Sequence, residues 1–260
     1  MGVETYVDRA RARAESEREA VSRRREALER FRTRLERIET DPLPSSPARV
    51  GVAPGPTHRA DCGTDEGCRA VRRAFAETVR PHSTDDESES VLETIRAVFT
   101  DRVAVGLAPT TDATFTPDLE RLVLAETRTR RAEAAALERA LDREAAQLER
   151  AAGVVDEITD WLVEANETAL RTLGFEALAR RHETLTDHRN RCDELASERQ
   201  RFLGEATSAG ATAGVSHRRL VPSLYEDFPV DHPVLATVAR LDSLLESCQR
   251  TVRAHLVRRV

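Results

Sequence analysis

The stretch from Thr116 to Thr172 constrains the fold most, because a seven-residue apolar repeat runs through it and no proline follows Pro117 within it. One seam position holds Ala134, Leu141, Leu148, Val155, Leu162 and Ala169, and the other holds Leu137, Glu144, Ala151, Ile158, Ala165 and Thr172. A spacing of 3.5 residues keeps one stripe of a helix against a partner helix, as in coiled coils. The repeat therefore predicts one long helix over residues 117–173.

Both ends of this helix carry local signals. The Thr116 hydroxyl is suited to accept a hydrogen bond from a first-turn N–H, and Pro117 fits the first helical position, where its missing N–H costs nothing. Gly153 lowers the helix propensity by about 1 kcal/mol relative to alanine, but the repeat keeps its phase through it. We expect the helix to end at Gly174 in a left-handed cap.

A second repeat predicts a helix over residues 3–40. Its two seam positions hold Val7, Ala14, Val21, Leu28 and Leu35, and Val3, Ala10, Glu17, Arg24, Phe31 and Ile38. We therefore expect an N-terminal coiled-coil helix (1–40), a linker rich in Pro, Gly and Ser (41–64), and a helical bundle domain (65–260). The pattern leaves open whether helix 3–40 packs in cis or in trans.

The bundle domain contains further apolar patterns. They predict short helices within 65–104, a helix over 175–204 that forms an antiparallel hairpin with the central helix, and a C-terminal helix over 232–258. Asp231 or His232 is the expected cap of the last helix, ahead of Pro233.

Two other segments carry weaker signals. Residues 102–109 are compatible with a short strand or a buried loop, so the structure of 102–116 stays open, and residues 204–216 are expected to form a flexible loop. The predicted fold class is all-α, an elongated antiparallel helical bundle with long coiled-coil-like helices.

The basic residues exclude several enzyme classes. All 40 are arginine, so the lysine of a P-loop ATPase, of a protein kinase or of a pyridoxal Schiff base is absent. The motifs GxSxG, HExxH and GxGxxG are absent as well. We therefore expect a non-enzymatic protein without catalytic, cofactor-binding or metal-binding residues. The 46 acidic residues, with abundant Ala, Thr and Val, are typical of a salt-adapted, haloarchaeal proteome.

The same sequence predicts a cytoplasmic location. Charge begins at the fourth residue, which does not fit a signal peptide, and no window approaches eighteen apolar residues. Four cysteines in a chain of 260 residues do not make a disulfide scaffold.

One constellation has the residue types of a metal site, namely His58, Cys62, Cys68 and His82. The gap between the two cysteines is wider than zinc sites usually have, and His82 lies beyond a predicted helix. We expect no metal here and predict that Cys68 is a buried apolar residue, although the sequence leaves metal binding open.

Other candidate residues fit core packing better than chemistry. His188 and Cys192 lie one turn apart on seam positions, and Cys248 lies on the apolar stripe of the last helix. The aromatic residues Tyr225 and Phe228, next to Pro229 and Pro233, are expected to cover an end of the bundle rather than to form a recognition surface.

Two arginine runs suggest nucleic acid as a partner, namely Arg23, Arg24 and Arg25, and Arg128, Arg130 and Arg131. Phosphate contacts weaken steeply with salt, the net charge is −6, and acidic residues interleave the runs. A solvated helix face is the expected interpretation, and nucleic-acid binding stays the alternative.

The segment SLYEDFPVDHPVLATVARL (223–241) resembles the C-terminal signature of a family of uncharacterised haloarchaeal helical proteins, known only as a domain of unknown function. The signature residues fall on Tyr225, on Phe228 to Val230 and on His232 to Leu235, with His232 in place of an aromatic residue. The segments 68–87, 115–126 and 191–200 also fit. The resemblance covers about residues 65–258 and implies no functional residue.

Long helices that expose an apolar seam fold back on themselves or bind a partner helix. We therefore expect a structural or protein–protein interaction protein, which self-associates or binds a protein partner through its long helices. The alternative is a regulator that binds nucleic acid through an arginine-rich helix face.

Overall fold

The computed structural model describes residues 5–41, 66–83, 89–109, 114–205 and 217–258. Within these ranges the chain forms α-helices and short 3-10 turns and no β-strand, so the all-α prediction is confirmed. The helices are α1 (Tyr6–Leu35), α2 (Glu66–Thr78), α3 (Val91–Val98), α4 (Asp101–Gly106), α5 (Pro117–Asn166), α6 (Phe175–Glu205), α7 (His217–Leu224) and α8 (Pro233–Val257). The 3-10 turns are Arg80–His82 and Leu170–Thr172. None of the described helices combines the length and the apolar character needed to cross a membrane.

Helix α5 begins as predicted. The Thr116 hydroxyl accepts a hydrogen bond from the N–H of Leu119 at 3.3 Å, and Pro117 is the first helical residue. The helix continues without interruption through Gly153, where an added Cβ would meet nothing within 4 Å. The seam residues between Leu141 and Ile158 are buried.

The predicted end of α5 is wrong. The helix ends at Asn166, before Gly174, and the backbone φ of Gly174 is not left-handed. Beyond Asn166 the seam positions Ala169 and Thr172 are exposed, so no burial stabilises further helical turns. Gly174 instead precedes α6, and its carbonyl accepts the hydrogen bond of the Leu178 N–H at 3.0 Å.

Residues 102–109 form neither of the two structures considered for them. Helix α4 spans Asp101–Gly106 and begins with the Thr100 hydroxyl, which accepts a hydrogen bond from the Val103 N–H at 3.4 Å. A helix this short gives too few residues for a periodic pattern, which explains the missed assignment. Helix α7 was also missed, and Pro222 lies inside it.

The other helix starts agree more closely with the sequence. Ser90 caps α3 in a capping box, in which its hydroxyl accepts from the Glu93 N–H while the Glu93 carboxylate accepts from the Ser90 N–H. Helix α8 begins at Pro233, and His232 occupies the cap position without a side-chain hydrogen bond. Its buried stripe contains Val234, Val238, Leu241, Leu245 and Val252, as the apolar pattern predicts.

The chain divides into two compact units. The first unit consists of Met1–Glu19 and Ala136–Val260, and the second unit consists of Ala20–Ala135. The linker that we predict over residues 41–64 stays a prediction, because all of it after Asp41 lies outside the described residues.

The second unit has an aromatic core. Phe31 of α1, Phe75 of α2 and Phe99 after α3 lie 5.7–5.8 Å apart between ring centroids. Such pairs contribute about 0.5–1.5 kcal/mol beyond the free energy gained by burying their surface.

In the same unit Gly67 faces Phe115 so closely that an added Cβ would lie 2.6 Å from the Phe115 Cβ, which makes a small residue necessary there.

The first unit packs the N-terminal part of α1, the C-terminal part of α5, and helices α6, α7 and α8. Helices α5 and α6 are antiparallel. Their contacts run from Glu144 with Arg199, through Arg150 with Glu198, Glu157 with Arg191 and Trp161 with His188, to the Thr168 carbonyl with Arg181. Helix α8 lies antiparallel on α6, since Asp242 pairs with Arg189 and Gln249 bonds the Thr186 hydroxyl.

Candidate functional site

An open groove lies in the first unit where α5 ends, α6 begins and α8 ends. We call it the hairpin-end groove. It has a volume of about 250 Å³. Its apolar lining residues are Trp161, Leu162, Ala165, Leu170, Leu185 and Val252, and its polar lining residues include Asn166, Thr168, Arg181, Ser247 and Thr251.

The early end of α5 creates this groove. Because the helix stops at Asn166, the chain turns through the 3-10 segment and places Leu170 in the lining, opposite side chains of α6 and α8. Val163 and Phe175, which flank the turn, are 64% and 52% exposed. The apolar lining of the groove itself is typical of an interaction site.

Trp161, the only tryptophan of the chain, forms one wall of the groove. Its ring lies 4.8 Å from the ring of His188, measured between centroids, and His188 is 8% exposed. Neither ring nitrogen of His188 has a hydrogen-bond partner among the described residues. Burial lowers the pKa of His188, and Arg191 acts in the same direction, so the imidazole is neutral at pH 7.

Cys192 lies one turn from His188 on a buried seam position, as the sequence predicts. Burial raises the pKa of the Cys192 thiol to about 11. A thiol with this pKa stays protonated at neutral pH and is a poor nucleophile and metal ligand. Core packing is therefore the role that its surroundings support.

Arg181 is the one charged residue among the described residues that line the hairpin-end groove. It extends from α6, is half-buried, and donates a hydrogen bond from Nη1 to the Thr168 carbonyl at 3.3 Å. The sequence reasoning missed both Trp161 and Arg181. The available signal was the apolar run Trp161 to Val163, which lies at the end of the repeat and only partly on the seam.

A second polar site lies in the first unit and is closed to solvent. Glu144 of α5 is fully buried, and Arg199 of α6 donates two hydrogen bonds to its carboxylate, at 2.9 and 2.6 Å. The hydroxyl of Tyr225, which follows α7, donates to the same carboxylate at 2.6 Å. We call these residues the buried triad. Burial raises the pKa of Tyr225 far above its ordinary value, and the adjacent Glu144 charge raises it further.

The aromatic residues of the C-terminal signature support this triad. The Tyr225 ring packs against Phe228 at 5.2 Å between centroids, and the guanidinium of Arg9 lies 5.1 Å over the Phe228 ring. Tyr225 and Pro233 are buried, whereas Pro229 is exposed. Tyr225 is thus a core residue with a polar tip, as expected for a scarce aromatic residue.

The predicted metal constellation is only partly within the described residues. His58 and Cys62 lie outside them. Cys68 is buried, as predicted, and its thiol lies 3.8 Å from the Gly106 carbonyl oxygen, whereas the His82 ring lies 3.4 Å from Arg30 Nη2. Within the ranges that the structure describes, no three His, Cys, Asp or Glu residues cluster as metal ligands would.

Several arginines of the two runs contribute to the second unit itself. Arg24 donates to the His82 carbonyl, Arg130 donates to the Phe99 carbonyl at 2.9 Å, and Arg131 pairs with Glu29 at 2.8 Å. These bonds occupy donors that a phosphate would need. Arg128 is exposed.

A family model described as "Domain of unknown function (DUF7260)" matches residues 5–249. No curated protein and no solved structure matches the chain. The family match includes α1, so it extends further toward the N-terminus than the resemblance noted in the sequence. The chain belongs to the DUF7260 family of domains of unknown function.

Proposed function

We propose that this protein is a non-enzymatic interaction protein that binds a partner protein in the hairpin-end groove. The observation that carries the proposal is an open groove of about 250 Å³ with mostly apolar walls. Tryptophan is among the residues most often found at the energetic centres of protein interfaces, and Trp161 forms one wall.

The heptad seams are less suitable as a docking surface. Along α1, the seam residues Val7, Ala14, Val21, Leu28 and Leu35 are at most 2% exposed within the single chain. A partner helix would have to displace these contacts before it could bind. The groove requires no such displacement, so we place the partner there and not on the long helices.

The volume of the groove is suited to one or two side chains of a partner. Sites for drug-sized ligands usually have volumes of about 300–1,000 Å³, which is above the volume found here. Three helix ends and a 3-10 turn form the walls, and grooves between helices commonly bind the apolar face of a partner's helix.

We further propose that binding takes place in a salt-rich cytoplasm, as the arginine-only, acid-rich composition indicates. At about 1 M salt the Debye length is only about 3 Å, so surface ion pairs contribute little to association. An apolar groove retains its binding energy under such conditions, which favours it over the arginine runs as the main site.

Photo-crosslinking in the native host tests this proposal. The photoreactive residue p-benzoylphenylalanine replaces Asn166, an exposed residue that lines the groove, or, as the control, the exposed Arg143 on the same helix. We expect one defined partner to cross-link from position 166 and not from position 143. A third chain carries the position-166 residue together with Thr251→Arg, which fills the groove from an exposed position on α8, and should lose the product. Equal products from both positions, or none from either, would reject the proposal.

A further inference from the structure

Arg181 is a cation in a mostly apolar groove. It is half-buried, and it makes no ion pair with any residue in the part of the chain that the structure describes. A guanidinium has five N–H donors, and within the described ranges Arg181 donates one hydrogen bond, to the Thr168 carbonyl at 3.3 Å. Because a partly desolvated charge without a counter-charge is unfavourable, Arg181 has both the capacity and the driving force to bind a carboxylate.

Neighbouring arginines on α6 differ from Arg181 in this respect. Each of four pairs with a carboxylate, and they are Arg180 with Glu176, Arg189 with Asp242, Arg191 with Glu157, and Arg199 with Glu144. Arg181 is the arginine of this helix that lines the groove. Arg201 of α6 also makes no ion pair with a described residue, but it is exposed, whereas Arg181 is half-buried and lines the groove.

The charge of the groove opposes that of the chain. Among its described lining residues there is one arginine and no Asp or Glu, although the chain has 46 acidic residues and a net charge of −6. Electrostatic complementarity across an interface contributes more to partner choice than to affinity. The groove is thus complementary to an apolar surface that carries a single negative charge.

Resting on the proposed function, we infer that the partner is an amphipathic helix that places one Asp or Glu carboxylate on Arg181 and apolar side chains beside it. Arg181 then determines specificity, because a guanidinium binds a carboxylate in a fixed bidentate geometry that a neutral side chain cannot reproduce. The apolar side chains provide the affinity, and the carboxylate sets the register.

The spacing of the groove residues gives the pattern of the partner. Leu185, which is buried and lines the groove, follows Arg181 by four residues, and therefore lies about one helical turn or 5–6 Å along α6. A helix that lies along α6 would match this distance with an acidic residue three or four positions from its apolar anchor.

Selection from a peptide library tests the inference without assuming a register for the partner helix. A phage library of amphipathic helical peptides, randomised at every position around a fixed leucine stripe, is selected against the full chain. The same library is selected against Arg181→Gln and against Arg180→Gln. Arg180 is the matched control, because it is the adjacent arginine, is exposed, and pairs with Glu176 outside the groove.

We expect the wild-type chain to enrich Asp or Glu three or four positions from a leucine, Arg180→Gln to keep that enrichment, and Arg181→Gln to lose it. A selected peptide should shift the emission of Trp161, and replacement of its acidic residue by the amide should weaken binding about five-fold. Peptides that shift Trp161 emission but show no acidic enrichment would overturn the carboxylate inference and leave groove docking intact. If no selected peptide changes Trp161 emission, the groove is not a helix-binding site and the proposed function fails.

Discussion

Two arginines of the same helix have opposite surroundings. Arg199 is buried, and its guanidinium is paired with Glu144, whose carboxylate also accepts the Tyr225 hydrogen bond. Arg181 is half-buried and open to the hairpin-end groove, and among the described residues it bonds only the Thr168 carbonyl. Arg199 meets a carboxylate of α5, whereas Arg181 meets a backbone carbonyl of the turn that follows α5, so the two arginines differ in the acceptor that faces them.

The comparison separates a structural site from a site with binding capacity. In the buried triad, every strong donor faces a strong acceptor inside the protein, and an additional ligand would have to break these bonds. At Arg181 the donors are only partly used, and the surface is open. Buried and fully paired charges hold their own chain together, whereas an unpaired cation in an apolar groove is available to a partner.

The largest effect should come from Glu144→Gln. The substitution keeps the shape of the side chain but leaves the Arg199 charge in the core without its counter-charge. Removal of one member of a buried ion pair typically lowers the free energy of unfolding by about 3–5 kcal/mol. Guanidinium-induced unfolding followed by circular dichroism measures the change.

The control for this prediction is Glu149→Gln. Glu149 lies on the same helix and pairs with Arg11, but both side chains are largely exposed. Exposed pairs of this kind contribute at most about 1 kcal/mol. Equal losses for the two variants would mean that the buried triad is not a distinct structural element.

Tyr225→Phe should have an intermediate effect. It removes the hydroxyl that donates to Glu144 at 2.6 Å and keeps the ring that packs against Phe228. A hydrogen bond to a charged group contributes about 1.5–3 kcal/mol, so the free energy of unfolding should fall by that amount. A loss below about 0.5 kcal/mol in the same unfolding experiment would show that Arg199 alone satisfies Glu144.

His188, which packs against Trp161 of the groove wall, should make the free energy of unfolding depend on pH. Because burial lowers its pKa in the folded state, the unfolded chain binds a proton first as the pH falls through about 6.5. Stability is therefore lost toward acidic pH, by at most about 1.4 kcal/mol per pH unit. Arg191 adds to this effect, and Asp187 and Glu157 oppose it more weakly.

The measurement compares wild type with His188→Leu, which keeps an apolar group on the buried seam. Unfolding free energies at pH 7, 6 and 5 include the titration of all carboxylates, but this contribution cancels in the difference between the two chains. The difference should change in favour of the leucine variant as the pH falls. A constant difference would mean that His188 finds a partner on protonation.

The helices with regularly spaced apolar residues were predictable from the sequence, because most of these residues are also the ones that the fold buries. Most of the apolar seam residues of α1, α5, α6 and α8 are buried, with Leu148 and Leu178 as examples, and the caps at Thr116 and Ser90 follow from side-chain chemistry. The end of α5 at Asn166 was missed because it depends on loss of tertiary contact at Ala169, which no local signal reports.

The two polar sites also differ in how far the sequence predicts them. Glu144 was visible as a charged residue on an apolar seam, a departure that calls for a buried partner, but the identity of that partner depends on the register of α5 against α6. Arg181 was indistinguishable from its neighbour Arg180 in sequence. The turn at Leu170 and the ends of α6 and α8 form the groove. They place Arg181 in it and leave Arg180 in solvent.

Arg181→Gln should have the smallest effect on stability and thereby completes the comparison. Since Arg181 makes one hydrogen bond and no ion pair with described residues, its replacement should change the free energy of unfolding by less than about 0.5 kcal/mol. Arg199→Gln, the matched substitution in the buried triad, leaves Glu144 as an uncompensated buried charge and should cost several kcal/mol. Parallel unfolding curves measure both. A large loss in the free energy of unfolding for Arg181→Gln would mean that this arginine stabilises the hairpin end. It would then not be available to bind a partner.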